Sequence, residues 1–141
     1  MIIFDTNVVS EIMRPQPDKA VLAWLENLAP QDPAITTVTI GEILSGIAIL
    51  PVGRRRSQLE TSWSALLESV FEWRIYSFDM ASAERLADVV AICRRRGTPI
   101  NLADAQIAAT ALAHNHTPLA TRDSDFAGLG LAVVNPWTSA L

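Results

Sequence analysis

The spacing of apolar positions along the chain changes repeatedly, and each change predicts a different element. Short apolar or alternating runs, typical of strands, occupy residues 1–4, 34–37, 74–78, 119–121 and 131–134. Helical patterns occupy residues 6–13, 18–28, 39–50, 54–70, 80–96 and 102–114. Proline and glycine mark several boundaries between these segments. Strands that alternate with helices predict an α/β fold with a parallel sheet covered by helices on both faces.

The chain has the length and composition of one folded domain. It contains 141 residues, half of them hydrophobic, with no low-complexity linker or internal repeat, so we predict a single domain over residues 1–141. Charge or proline interrupts every apolar stretch before about 18 residues, which predicts no membrane span. The apolar start carries Asp5 and lacks a basic segment, unlike a signal peptide. Cys93 is the only cysteine, so no internal disulfide can form, and we expect a reducing cytoplasmic location.

Net charge argues against a broadly basic surface, but the arginines are clustered. The formal charge is −4, which is unusual for a protein that binds nucleic acid along a wide face. Residues 94–96 are all arginine and precede Gly97, as expected at the C-terminal end of a helix. A second run, Arg54, Arg55 and Arg56, begins a helical segment. The sequence leaves open whether this second run is a solvated helix face or a binding surface.

Four carboxylates fall where the predicted strands end. Asp5 follows the first strand, and Glu42 lies near the start of the helix after the second strand. Asp104 is in the first turn of a helix that Asn101 opens, and Asp123 follows the strand over 119–121. In a parallel sheet, these four positions lie toward the same edge, where α/β proteins usually bind their ligands.

Each carboxylate also has a purely structural interpretation. Asp5 can cap the following helix, Asp123 can close an Asx turn, and Asn101 and Asp104 resemble a capping arrangement. Glu42 lies three residues after Thr39, which is the capping-box spacing. Four carboxylates at one edge would nevertheless repel one another unless a cation neutralised them. Oxygen ligands of this kind suit Mg²⁺ or Mn²⁺, and such a centre supports phosphodiester hydrolysis.

Other chemistries lack the residues that they need. Cys93 lies within a predicted helix, and His114 and His116 lie near a helix end, where capping or solvent exposure explains them. The chain has no glycine-rich phosphate loop. A phosphoacceptor switch needs a lysine at a later strand end, but the only lysine is Lys19. A haloacid-dehalogenase phosphatase needs an aspartate two residues after Asp5, where this chain has Asn7.

Four motifs, in order along the whole chain, resemble those of PIN-domain ribonucleases, specifically the VapC and FitB toxins of bacterial toxin–antitoxin pairs. They are Ile-Phe-Asp5-Thr6-Asn7-Val-Val-Ser10-Glu11, Thr-Ile-Gly-Glu42-Ile, Asn101-Leu-Ala-Asp104-Ala-Gln-Ile-Ala-Ala and Ala-Thr121-Arg122-Asp123-Ser-Asp125-Phe. The resemblance implies a PIN-like α/β/α sandwich with a central, mainly parallel, doubly wound sheet. It also implies a ribonuclease that uses Mg²⁺ or Mn²⁺.

The resemblance assigns roles to individual residues. Asp5, Glu42 and Asp104 match three nearly universal acidic positions, so they are the expected catalytic and metal-binding residues. Family members place the fourth acid where either Asp123 or Asp125 stands here, and we favour Asp123 because it is nearer the strand end. The residues expected to orient these ligands are Thr6, Asn7, Thr121 and Asp125.

The resemblance further implies an RNA substrate, a small antitoxin protein and a homodimer that assembles with the antitoxin into a larger complex. In such families, the antitoxin places a C-terminal segment, often with an arginine, in the acidic pocket. Candidate phosphate contacts are Arg54, Arg55, Arg56 and Arg122. The alternative is a non-catalytic PIN-fold interaction module that binds the antitoxin and, as a complex, operator DNA. Tryptophans at 24, 63, 73 and 137 could serve an interface, but core packing explains most of them better.

Overall fold

The computed structural model describes residues 1–139, which form five strands, six α-helices and one 3₁₀ turn. The strands are β1 (Ile2–Phe4), β2 (Pro33–Thr36), β3 (Ile75–Tyr76), β4 (Leu119–Ala120) and β5 (Val133–Val134). The helices are α1 (Thr6–Ile12), α2 (Lys19–Glu26), α3 (Thr37–Ala48), α4 (Arg54–Ser69), α5 (Met80–Arg95) and α6 (Leu102–Ala113). The 3₁₀ turn spans Ser124–Phe126. The predicted elements are all present, with shorter strands at 74–78, 119–121 and 131–134 than the pattern indicated.

The sheet is parallel and doubly wound. Its strand order is β3-β2-β1-β4-β5, and every adjacent pair is parallel. The chain winds outward from β1 to β3 and then returns to the other side of β1 for β4 and β5. The order therefore reverses between β1 and β4, which is the place where open α/β sheets bind ligands.

Helices cover both faces, as predicted for an α/β/α sandwich. Alternating side chains divide the core: Ile3 belongs to a cluster that includes Val89 of α5 and Ile107 of α6. Its neighbour Phe4 belongs to the opposite cluster, with residues from α1 to α4 such as Trp63. Together these two clusters fix the sheet between its helical layers and so fix the ends of β1 and β4.

The N-terminal end of α3 differs from the predicted one. Thr36 is the N-cap, and its Oγ1 accepts a hydrogen bond from the backbone N–H of Thr39 at 3.1 Å. Thr39 is therefore inside the helix, and the predicted capping box between Thr39 and Glu42 is wrong. Among Thr36, Thr37 and Thr39, the one with extended backbone dihedrals takes the cap, because an N-cap residue is not itself helical. Glu42 is consequently not used for capping.

The turn between α4 and β3 is fastened by Arg74. Its guanidinium donates to the main-chain carbonyls of Pro33 at 2.7 Å, Pro30 at 2.7 Å and Val70 at 3.0 Å. Just before it, Glu72 and Trp73 adopt positive φ angles, which are unfavourable for residues with a side chain. Trp73 is exposed, so core packing does not explain this tryptophan.

No helix in residues 1–139 is long and apolar enough to cross a membrane. The predicted single domain extends to residue 141, and its last two residues lie outside the described part of the chain.

Candidate active site

Asp5 lies at the centre of the sheet edge, directly after β1, and it also caps α1. Its Oδ1 accepts a hydrogen bond from the Thr6 backbone N–H at 2.7 Å, and its Oδ2 accepts one from the Thr121 hydroxyl at 2.7 Å. The residue is 2% exposed. Burial raises the pKa of Asp5, with the hydrogen bonds from Thr121 and Thr6 opposing that rise. The capping interpretation of Asp5 is thus correct, and it leaves the carboxylate at the predicted edge.

Thr121 joins three parts of the site through one hydroxyl group. It donates to Asp5 and accepts from Asn7 Nδ2 at 3.2 Å and from the Asp123 backbone N–H at 3.0 Å. A hydroxyl has one hydrogen and two lone pairs, so these three bonds use its full capacity. Thr121 therefore links β1, α1 and the loop after β4 in one fixed arrangement.

Glu42 reaches the site from α3. Its Oε1 accepts a hydrogen bond from the Thr6 hydroxyl at 2.6 Å, and that hydroxyl lies 3.1 Å from Thr39 Oγ1. Because Glu42 has no capping role, its carboxylate is oriented by α1 rather than by its own helix. This contact brings the second predicted acid toward the first.

Asp104 is oriented by the residue that caps its helix. Asn101 Oδ1 accepts the Asp104 backbone N–H at 2.9 Å, and Asn101 Nδ2 donates to Asp104 Oδ2 at 2.7 Å. Burial is the largest cause, and the nearby charges of Asp5, Asp123 and Glu42 add to it, so that the pKa of Asp104 is raised from its ordinary 3.8 to about 6. The cluster therefore carries mutual repulsion that a cation would relieve.

The loop after β4 supplies two further carboxylates. Asp123 Oδ1 accepts the Asp125 backbone N–H at 2.9 Å, which is the predicted Asx turn. Carboxylate oxygens of Asp104, Asp123 and Asp125 all lie within 4.8 Å of one another. Arg96 Nη2 donates to the main-chain carbonyl of Asp125 at 2.8 Å and so fastens this loop to the end of α5. The structure brings both candidates for the fourth acid close to Asp104, and the preference for Asp123 stays a prediction.

A pocket of ≈ 480 Å³ unites these residues, and we call it the acidic pocket. Its lining comprises Asp5, Thr6, Asn7, Ser10, Glu11, Arg14, Glu42, Asp104, Arg122 and Asp123. All four predicted catalytic carboxylates are in this set. Thr121 and Asp125 do not line the pocket but lie next to residues that do. Thr121 donates a hydrogen bond to Asp5, and a carboxylate oxygen of Asp125 lies within 4.8 Å of oxygens of Asp104 and Asp123.

The four arginines predicted to contact phosphate lie in three different surroundings. Arg122 lines the acidic pocket, with its guanidinium 4.4 Å from the ring centroid of Trp137. Arg54 and Arg55 instead line a neighbouring groove of ≈ 1100 Å³ beside α1, α3 and α4, which we call the side groove. Arg56 pairs with Glu60 at 3.0 Å and lines neither cavity.

Three residues of the pocket lining had no predicted role, namely Ser10, Glu11 and Arg14, although Ser10 and Glu11 belong to the first motif. Ser10 and Glu11 follow Asn7 by three and four positions and share one face of α1, whereas Arg14 lies in the turn just after that helix, seven positions after Asn7. That helical spacing from a predicted site residue is the signal that could have found them.

The donor set fits a hard divalent cation. Asp5, Glu42, Asp104 and Asp123 offer carboxylate oxygens, which Mg²⁺ and Mn²⁺ prefer. Asn7 adds a further observation, because its Oδ1 is buried without a hydrogen-bond partner in residues 1–139. An unpaired amide oxygen at the base of a carboxylate pocket can accept a hydrogen bond from a water molecule that a cation holds.

The sequence is similar to one protein family and to several characterised relatives over nearly its full length. The PIN domain family matches residues 2–130. The plasmid stability protein StbB of Pseudomonas syringae pv. tomato is 41% identical over 138 residues, covering 97% of this chain and 99% of that protein. VapC ribonuclease Y4jK of Sinorhizobium fredii is 37% identical, covering 99% of this chain and 100% of its own length. Toxin FitB of Neisseria gonorrhoeae is 38% identical, with coverages of 97% and 99%.

Chains in solved toxin–antitoxin structures are similar to this chain in both fold and sequence. The structure of FitAB bound to an IR36 DNA fragment contains a chain that is 38% identical, with a TM-score of 0.89 and coverages of 100% and 99%. A toxin–antitoxin complex from Klebsiella pneumoniae contains a chain that is 31% identical, with a TM-score of 0.68 and coverages of 96% and 98%.

Proposed function

The chain belongs to the PIN domain family, and from that premise we propose that it is the toxin of a type II toxin–antitoxin pair and a metal-dependent endoribonuclease. The observation that carries the proposal is the convergence of Asp5, Glu42, Asp104 and Asp123 on one pocket at the switch point of the sheet. The names of relatives, a VapC ribonuclease and the toxin FitB, support the same activity and role. The proposed unit is one PIN domain.

In this proposal the four carboxylates hold Mg²⁺ or Mn²⁺, and the surrounding residues keep them in place. When bound, the ion supplies a more acidic water for attack on phosphorus and neutralises charge on the phosphate. Thr121 and the Thr6 backbone fix both oxygens of Asp5, and the Thr6 hydroxyl fixes Glu42. Asn101 fixes Asp104 in the same way. The chain thus provides a preformed set of ligands at a site where an RNA phosphate would otherwise be repelled.

An antitoxin is the proposed protein partner. The Klebsiella pneumoniae relative was solved as a toxin–antitoxin complex, which supports this assignment. The side groove has a mixed lining with apolar side chains such as Ile12, Met13, Ile43 and Leu59. It shares Thr6, Ser10, Arg14 and Glu42 with the acidic pocket. A partner segment with apolar side chains followed by an arginine would match both cavities in order. A homodimer and a cytoplasmic location stay predictions.

The second candidate function is a binding module without catalysis. The FitAB relative was solved on a DNA fragment, which favours a DNA-binding complex in this family. In this version, the chain would bind its antitoxin and reach operator DNA only through it. The chain would still bind Mg²⁺ at the carboxylates, but it would not cleave RNA.

Cleavage of a fluorescent RNA pool by the partner-free chain distinguishes the two functions. We expect cleavage with Mg²⁺ or Mn²⁺, none with EDTA, and a loss of at least about 100-fold in Asp5→Asn, which removes one ligand charge. Asp88→Asn is the matched control, because Asp88 is exposed on α5 and lines neither cavity. Cleavage that persists in both EDTA and Asp5→Asn would refute the proposed chemistry. Metal binding without any cleavage by a folded chain would favour the binding module.

A further inference from the structure

Arg14 occupies the junction of the two cavities. Among residues 1–139, it is the basic side chain that lines both the acidic pocket and the side groove. Arg122 contributes to the pocket alone, and Arg54 and Arg55 contribute to the groove alone. A strand of nucleic acid that runs from the groove into the pocket would therefore pass Arg14.

Glu11 holds the guanidinium of Arg14 in a defined way. The Glu11 carboxylate is buried, with the residue only 6% exposed, and its Oε2 accepts the Asp18 backbone N–H at 3.0 Å. Both carboxylate oxygens accept from Arg14 Nη1, at 3.2 and 3.3 Å. The Arg14 side chain is 65% exposed. A fixed carboxylate inside thus holds one nitrogen of a cation that stands at the surface.

This arrangement leaves most of the guanidinium donors available. Arg14 Nε and Nη2 make no hydrogen bond to residues 1–139. Arginine presents its donors in a planar fork that matches two phosphate oxygens. Glu11 thus has two contacts, one that joins α1 to the N-cap of α2 and one that orients the exposed guanidinium of Arg14.

We propose that Arg14 contacts the RNA phosphate adjacent to the one that is cleaved, and that Glu11 is the positioning residue that orients it. The inference rests on the proposed ribonuclease function and adds a substrate contact to it. The buried Glu11 fixes one nitrogen of the guanidinium, and the phosphate binds the remaining donors. Because the carboxylates repel RNA, a cation at the pocket rim offsets that repulsion for the phosphate that the metal does not bind.

Steady-state cleavage and binding of a short single-stranded RNA test the inference. The variants are Arg14→Ala, Arg14→Lys and Glu11→Gln, with Arg85→Ala as the control, since Arg85 is exposed on α5. In Arg14→Ala, we expect KM and Kd to rise about tenfold with kcat changed by less than about threefold. The slope of log Kd against log salt should fall by about 0.7, the value for one phosphate contact on a single strand. Arg14→Lys should recover part of the affinity, and Glu11→Gln should raise KM without changing the salt slope as much.

Thermal unfolding of each variant detects any folding defect. A purely structural role of Arg14 or Glu11 would lower the unfolding temperature but would leave the slope of log Kd against log salt unchanged. Unchanged KM and salt slope in Arg14→Ala, with wild-type cleavage intact, would overturn the assignment of Arg14 only. Loss of antitoxin binding without any change in RNA binding would overturn it in favour of a partner contact. A wild-type chain that neither binds nor cleaves RNA would instead refute the proposed function, and the Arg14 assignment with it.

Discussion

Replacing Asp104 by Asn should stabilise the metal-free protein. The pKa of Asp104 is raised from its ordinary 3.8 to about 6, first by burial and then by Asp5 and Asp123. Asn keeps the size of the side chain and an oxygen that can accept the hydrogen bond from Asn101. The substitution therefore removes the charge while leaving the local geometry in place.

The magnitude follows from the shift in pKa. A rise of about 2 units corresponds to about 3 kcal/mol of stability lost when Asp104 ionises in the folded state. Because Asp104 is only partly buried, solvent screening reduces the expected effect to about 1–2 kcal/mol. For a chain of this length, that is a difference of about 3–6 °C in Tm.

The direction of the Asp104 pKa shift determines the pH range over which the two proteins differ in stability. Since the folded pKa lies above the unfolded one, the contribution of Asp104 is fully present below about pH 4 and is lost as pH rises through about 6. Metal-free wild type and Asp104→Asn should therefore unfold at similar temperatures near pH 4 and differ most above pH 7. Saturating Mg²⁺ should reverse the order above pH 7, because the metal binds and stabilises the folded wild type.

Thermal unfolding in EDTA, monitored by circular dichroism from pH 4 to 8, measures this directly. Asp88→Asn, which changes an exposed aspartate on α5, should show no such pH-dependent gain. If Asp104→Asn is no more stable than wild type at pH 7.5 in EDTA, the carboxylates do not destabilise the metal-free protein.

Two further substitutions test contacts that the structure places at and away from the pocket. Thr121→Val removes the hydroxyl that contacts Asp5, Asn7 and the Asp123 backbone. We expect the free energy of unfolding in urea to fall by about 1–3 kcal/mol and Mn²⁺ affinity, measured by calorimetry, to fall by about 10–100-fold. Thr61→Val, at an exposed helical position, is the control, and unchanged Mn²⁺ affinity in Thr121→Val would contradict the role of Thr121. Arg74→Met leaves the carbonyls of Pro30, Pro33 and Val70 without their donor, so urea unfolding should show a loss of about 2–4 kcal/mol with metal affinity preserved; a stable variant would show that water replaces these bonds.

The alternation of strand and helix patterns was enough to predict the sheet and its two layers of helices. It succeeded because residues such as Ile3 and Phe4 send their side chains to opposite faces, and both are buried. Strand lengths were less predictable, since β3 and β5 form only two-residue pairings. Their polar and glycine neighbours do not determine where pairing stops.

Local capping rules predicted some contacts and misassigned others. Asn101 caps α6 and also binds the Asp104 side chain, so the structural and functional interpretations hold together. The same rules failed at Glu42. Thr36, Thr37 and Thr39 could each cap α3 by residue type, and the extended backbone at Thr36 makes that residue the N-cap. The partner of Glu42 is Thr6, 36 residues away, and no local pattern indicates such a contact.

Charge runs were a poor guide to which arginines lie near the pocket. The run at 54–56 is divided between the side groove and an ion pair with Glu60, while the isolated Arg14 lines both cavities. Arg14 lines both cavities because it lies in the turn that follows α1, and a search for clustered charge does not detect this position. The arginine run at 94–96 ends α5 as predicted, but Arg96 also binds the loop that carries Asp125.

Whether these carboxylates hold a catalytic metal is decided by the rate of RNA cleavage by the partner-free chain, measured while Mg²⁺ is titrated. We expect no cleavage in EDTA, a rate that saturates with Mg²⁺ for wild type, and an Asp104→Asn variant that needs at least about tenfold more Mg²⁺ or does not cleave. A rate independent of Mg²⁺, or one equal in wild type and Asp104→Asn at every Mg²⁺ concentration, would contradict the claim that these carboxylates hold the catalytic metal.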